Sequence, residues 1–153
     1  MSESAKVFAA DHIGFAVSSL SEAIQFWTEA LGFTLERHGE MEGEFLREVT
    51  GVDDPNVKTA TVRAPDGFAI ELLQYSQGHA NGFAHHSAGA VGAAHLALIV
   101  ENIAAAITRV EAAGWTAKGS ARAIERGPRR GTLVAYVSGP DHITVEFMQT
   151  PVS

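Results

Sequence analysis

Two glutamates occupy places in this chain where a carboxylate is costly. Glu71 lies in FAIELLQ and Glu146 in ITVEFMQ, each flanked on both sides by apolar residues in segments that read as buried strands. A buried carboxylate needs a cation, a metal, a raised pKa or a place at a cavity wall, because burying it unpaired costs several kcal/mol. Two histidines, His12 in DHIGFAV and His95 in AHLALIV, stand at the head of other apolar runs. The chain has no cysteine, so a metal site would be built from histidine and carboxylate. Two imidazoles and two carboxylates suit Zn, Ni, Co, Mn or Fe(II), and an octahedral ion so held keeps two positions for waters or for two adjacent substrate oxygens. Chelating a carbonyl oxygen acidifies the neighbouring C–H, so proton abstraction by a base is the reaction implied. Taken singly, a strand glutamate more often faces solvent and a strand histidine is more often a hydrogen-bonded core residue. Repetition joins the four into one duplicated design.

The repeat is visible along most of the chain. DHIGFAVSSLSEAIQFWTEALGF from Asp11 matches AHLALIVENIAAAITRVEAAGW from Ala94, which sets His12 over His95. APDGFAIELLQ from Ala64 matches GPDHITVEFMQ from Gly139, which sets Glu71 over Glu146. The glutamates are closer together in sequence than the histidines, so the second half is the shorter one, as loop variation between duplicated units produces.

Each half reads strand, helix, then further strands. Ile13, Phe15 and Val17 alternate with His12, Gly14 and Ala16, and Leu96, Leu98 and Val100 alternate with His95, Ala97 and Ile99, so both histidines fall on the less bulky face. Leu20, Ile24, Trp27 and Leu31 form a helical stripe, with Ser19 and Glu22 as a capping box and Gly32 as its stop. Ile103, Ile107 and Val110 repeat the stripe between Asn102 and Gly114. Strands are predicted near 33–38, 57–63, 68–74, 132–137 and 143–149. The expected organisation is a first module over 1–77, a Gly/Ala/Ser-rich linker over 78–92 and a second module over 93–153.

Composition narrows the function class. Asp and Glu number 18 against 11 Lys and Arg, a formal charge of −7 that disfavours nucleic acid. No stretch approaches the roughly 18 consecutive apolar residues of a membrane span, and the N-terminus lacks a signal-like run, so a soluble, unprocessed, cytoplasmic protein is expected.

DHIGFAVSSLSEAIQFWTEALGF, APDGFAIELLQY, AAHLALIVENIAAAI and GPDHITVEF together resemble the vicinal oxygen chelate superfamily, which includes glyoxalase I, methylmalonyl-CoA epimerase, extradiol dioxygenases and the fosfomycin and bleomycin resistance proteins. The resemblance implies an α+β fold of two paired βαβββ modules whose curled sheets form a metal-binding cup. It also implies one divalent metal held by His12, Glu71, His95 and Glu146, and a homodimer. With all four positions filled, the set is similar to that of glyoxalase I and the epimerases. The implied activity is an isomerase, epimerase or lyase that handles a small carbonyl compound through a metal-chelated enolate, with Glu146 as the favoured base and Glu71 or Glu48 as a second. An Fe(II) extradiol dioxygenase and a non-catalytic drug-binding resistance protein are the alternatives. His142 stands where relatives usually have glycine, and no glutathione-specific pattern is found.

Other groups carry two readings each. Glu44 and Glu48, in GEFLREVTG, could bring a further carboxylate to the cup or face solvent. His79, His85 and His86 could contact substrate or a second metal, or lie on a linker surface. Arg122, Arg126, Arg129 and Arg130 could hold a substrate anion or form a solvated hairpin. Trp27 and Trp115 read as core.

Overall fold

The computed structural model describes residues 6–53, 56–78, 82 and 87–152. Among the described residues there are three helices and nine strands, the strands forming two sheets, an α+β architecture. In the first half β1 (His12–Ala16) leads into α1 (Leu20–Gln25), which runs on as a π-helical turn over Phe26–Ala30. There follow β2 (Thr34–Glu42), α2 (Glu44–Thr50), β3 (Asn56–Arg63) and β4 (Ala69–Tyr75). The sheet order is β1-β4-β3-β2, with β1 and β4 parallel. The second half has β5 (His95–Ile99), α3 (Ile103–Ala112), β6 (Thr116–Ala117), β7 (Arg122–Ala123), β8 (Leu133–Ser138) and β9 (Thr144–Gln149). There β5 lies parallel to β9, β9 pairs with β8, and β6 and β7 both pair with β8. Two short strands thus fill the place that β2 fills in the first sheet.

Local chemistry sets the helix ends. Ser19 Oγ accepts from the Glu22 backbone N–H at 3.3 Å, and Asn102 Oδ1 accepts from Ala105 N–H at 2.9 Å, as the capping patterns require. Gly32 and Gly114 follow the helices at φ 74° and 88°, a left-handed backbone that glycine adopts without a Cβ clash.

The π-helical turn departs from the expected stripe. Its wider turn buries Phe26 along with Trp27 and Ala30, while Leu31 is only half-buried. Phe26 then stacks on Trp115 at 4.0 Å, and Trp27 meets Trp115 edge-on at 6.5 Å. These contacts join the halves into one apolar core with Ile70, Leu72 and Val62 from one sheet and Val137, Val145 and Phe147 from the other. Each sheet turns its bulky face to that shared core. Each therefore turns its other face, the one carrying the histidines, away from it.

Candidate metal centre

His12 and Glu71 meet on the outward face of the first sheet. In the parallel ladder Gly14 is opposite Glu71, so His12 lies two residues before that position on the same face. His12 Nε2 and Glu71 Oε2 are 3.2 Å apart, with side chains 39% and 26% exposed. The second sheet repeats the arrangement: Ala97 is opposite Glu146, and His95 Nε2 lies 3.2 Å from Glu146 Oε2, with side chains 40% and 17% exposed. The alternation that keeps Ile13, Phe15, Leu96 and Leu98 inward is what points both imidazoles outward.

The donor set fits a divalent ion. Two ligands bound cis at roughly 2.1 Å are about 3 Å apart, close to the separation found within each pair. Each pair supplies two donors, and the described residues contain no group of three or more histidine or acidic side chains placed to hold one ion together. The four residues thus stand as two separate His–Glu pairs, His12 with Glu71 and His95 with Glu146. Two grooves, of about 660 and 620 Å³, lie elsewhere, and none of the four residues lines either. All four side chains are partly exposed, the histidines more than the glutamates.

The two pairs differ in their surroundings. His12 Nδ1–H donates to Asp11 Oδ2 at 2.7 Å, which leaves Nε2 as the nitrogen facing Glu71. That hydrogen bond, supported by the Glu71 charge, raises the His12 pKa above the ordinary histidine value. It lowers the Asp11 carboxyl correspondingly. In the second half Ala94 precedes His95, and Tyr136 approaches instead, its hydroxyl 3.3 Å from His95 Nε2. Burial, reinforced by the Glu146 charge, pushes the Tyr136 phenol up. Tyr136 is absent from the sequence-derived candidates. Its register opposite Glu146 in the β8–β9 ladder brings it there, a pairing that no local pattern in the sequence marks.

The remaining candidates fall elsewhere. Glu44 and Glu48 lie on α2, both exposed. Glu44 pairs with Arg47 at 2.5 Å, and Glu48 makes no hydrogen bond or ion pair with either His–Glu pair. Arg129 Nη1 comes within 3.5 Å of Met148 Sδ, two residues past Glu146, while Arg122, Arg126 and Arg130 are exposed. His79, His85 and His86 lie outside the described residues. His142 holds a left-handed φ of 60° in the turn before β9. Trp27 and Trp115 are buried, as expected.

Comparison with known proteins gives the chain's family and fold. The chain is 28% identical to lactoylglutathione lyase of Salmonella typhimurium over 90% of both chains. A glyoxalase family protein from Bacillus cereus superposes with a TM-score of 0.82 at 26% identity, covering 96% of this chain and 97% of that one. Glyoxalase I from Zea mays superposes at 0.61 with 17% identity, covering 94% of this chain and 45% of the maize chain, which shows the shared fold. Residues 11–136 match the family described as the Glyoxalase/Bleomycin resistance protein/Dioxygenase superfamily, and the chain belongs to that superfamily.

Proposed function

We propose that this protein is a divalent-metal-dependent isomerase, epimerase or lyase acting on a small carbonyl compound. The observation that carries the reading is the repetition of one His–Glu pair at the same register in two sheets, with ligand atoms 3.2 Å apart in both. His12 and Glu71 of one copy would hold the ion together with His95 and Glu146 of a second copy. Both pairs lie on faces turned away from the shared core, an arrangement that supports completion by a partner copy. The similarity to lactoylglutathione lyase and to glyoxalase family proteins supports the choice of reaction class.

When bound, a divalent ion draws electron density from the oxygens of a chelated substrate and makes the adjacent C–H more acidic. The chain's own residues do the rest. Glu146, the less exposed of the two glutamates, accepts the proton from carbon and returns it at the same or the neighbouring carbon. Glu71 is the candidate for a second base on the opposite side of that carbon. Asp11 fixes the His12 ring so that Nε2 faces the ligand position.

The test has two arms. Purified protein should contain a divalent metal, with about one ion per His12, Glu71, His95 and Glu146 set, by elemental analysis. A screen of α-hydroxy-ketones, 2-acyl esters and acyl-CoA thioesters for solvent-deuterium exchange should give a metal-dependent hit. Metal content unchanged in the folded double variant His12→Ala/His95→Ala would refute the site. Stoichiometric iron with oxygen uptake on catechols would move the assignment to a dioxygenase. Tight ligand binding without metal would move it to a sequestering protein.

A further inference from the structure

The two half-sites differ most at one register position. Opposite Glu71 on the neighbouring strand stands Thr61, whereas opposite Glu146 stands Tyr136. The Thr61 hydroxyl accepts from Arg37 Nε at 3.4 Å. The Tyr136 hydroxyl instead reaches His95 Nε2 at 3.3 Å, the nitrogen that also lies 3.2 Å from Glu146 Oε2. The two rings lean together with centroids 4.9 Å apart and planes tilted by 40°, so packing holds the phenol in place. Atoms from β5, β8 and β9 therefore converge on one point of the second sheet.

We propose that Tyr136 is a further catalytic residue, whose hydroxyl donates a hydrogen bond to the substrate oxygen seated beside His95 and Glu146. The inference rests on the proposed function. When Glu146 takes a proton from the substrate carbon, the C–H electron pair becomes a C=C bond and the carbonyl π pair moves onto oxygen. A donor held beside that oxygen stabilises the charge as it develops. The proton travels between carbon and Glu146, and Tyr136 keeps its own. A role as a fifth protein ligand is disfavoured, because it would leave an octahedral ion one free position, too few for two adjacent substrate oxygens. Ring packing alone does not require the hydroxyl, since phenylalanine would lean on His95 equally well.

Tyr136→Phe isolates the hydroxyl. Wild type and variant, matched for thermal unfolding and loaded with Zn, are compared for metal affinity and for binding of acetohydroxamate, an anionic chelating probe with two neighbouring oxygens. The expected result is metal affinity within about threefold of wild type and acetohydroxamate binding weaker by about tenfold to a hundredfold, the range for a hydrogen bond to a charged acceptor. Equal acetohydroxamate binding by the two proteins overturns the inference while leaving the proposed function standing. A matching loss of metal affinity overturns it in favour of a ligand or structural role, and so does, in samples of both proteins loaded separately with Fe(III), a phenolate-to-iron absorption band that the variant lacks. A wild-type chain that takes up no metal overturns the proposed function and this inference together.

Discussion

Asp11 and His12 set the pH behaviour of the first half-site. The hydrogen bond to Asp11, helped by Glu71, raises the His12 pKa, so in metal-free protein the imidazole keeps its proton above the ordinary value of 6.5. The sign follows by linkage: the stability contributed by protonated His12 is fully present below about 6.5 and is lost as pH rises through the raised folded-state value. Metal uptake should run the opposite way, since the ion must displace that proton. An NMR titration of metal-free protein should place His12 above 6.5, and Asp11→Asn should bring it back down; identical titrations would remove Asp11 from the site. At the other pair, Glu146→Gln should slow substrate α-proton exchange by about 10²- to 10⁴-fold with metal content matched, because an amide can still coordinate but cannot usefully accept the proton. Glu71→Gln removes the same charge. Losses of similar, moderate size at both positions would argue for charge balance rather than base catalysis at Glu146.

At the scale of elements, the helices were predictable where capping chemistry is local and less so where tertiary contacts decide. Ser19, Asn102, Gly32 and Gly114 mark ends that sequence alone identifies, because each acts on a backbone group within a few residues. Asn102→Ala should cost about 1 kcal/mol in chemical denaturation through loss of the bond to Ala105 N–H. The π-helical turn had no such mark, since burying Phe26 depends on Trp115, far along the chain. The same junction is tight. A Cβ on Gly139 would sit 2.5 Å from Trp115 Cε2, and the indole is held by its stack on Phe26, so Gly139→Ala should destabilise by roughly 1–3 kcal/mol. An unchanged denaturation midpoint would show that Trp115 can move. Helix α2 escaped the periodicity because it buries only Leu46 and leaves Phe45 and Val49 exposed, bracketed by Gly43 and Gly51 at positive φ.

For the whole molecule, the consequence of one shared core is that, among the described residues, both histidines stay partly exposed on faces turned away from it. A homodimer is expected, and a sedimentation mass that stays monomeric across concentration would reject it. A stricter test mixes two inactive variants. His12→Ala and His95→Ala chains, combined and allowed to exchange, should regain metal binding, because one of the two sites in a mixed dimer draws His12 and His95 from the unmutated positions of different chains. No recovery under conditions where subunits exchange would place the site within one chain.

The sequence by itself determined the α+β class and the duplication, and singled out His12, Glu71, His95 and Glu146, because strand alternation and capping operate over a few residues and the repeat states them twice. It did not determine how the pairs relate to one another. That depended on which faces the aromatic residues of the first helix and Trp115 would join, a contact between distant segments that no local period encodes. Tyr136 escaped for the same reason. Its hydroxyl matters only because β5, β8 and β9 lie side by side, and strand order belongs to the tertiary structure.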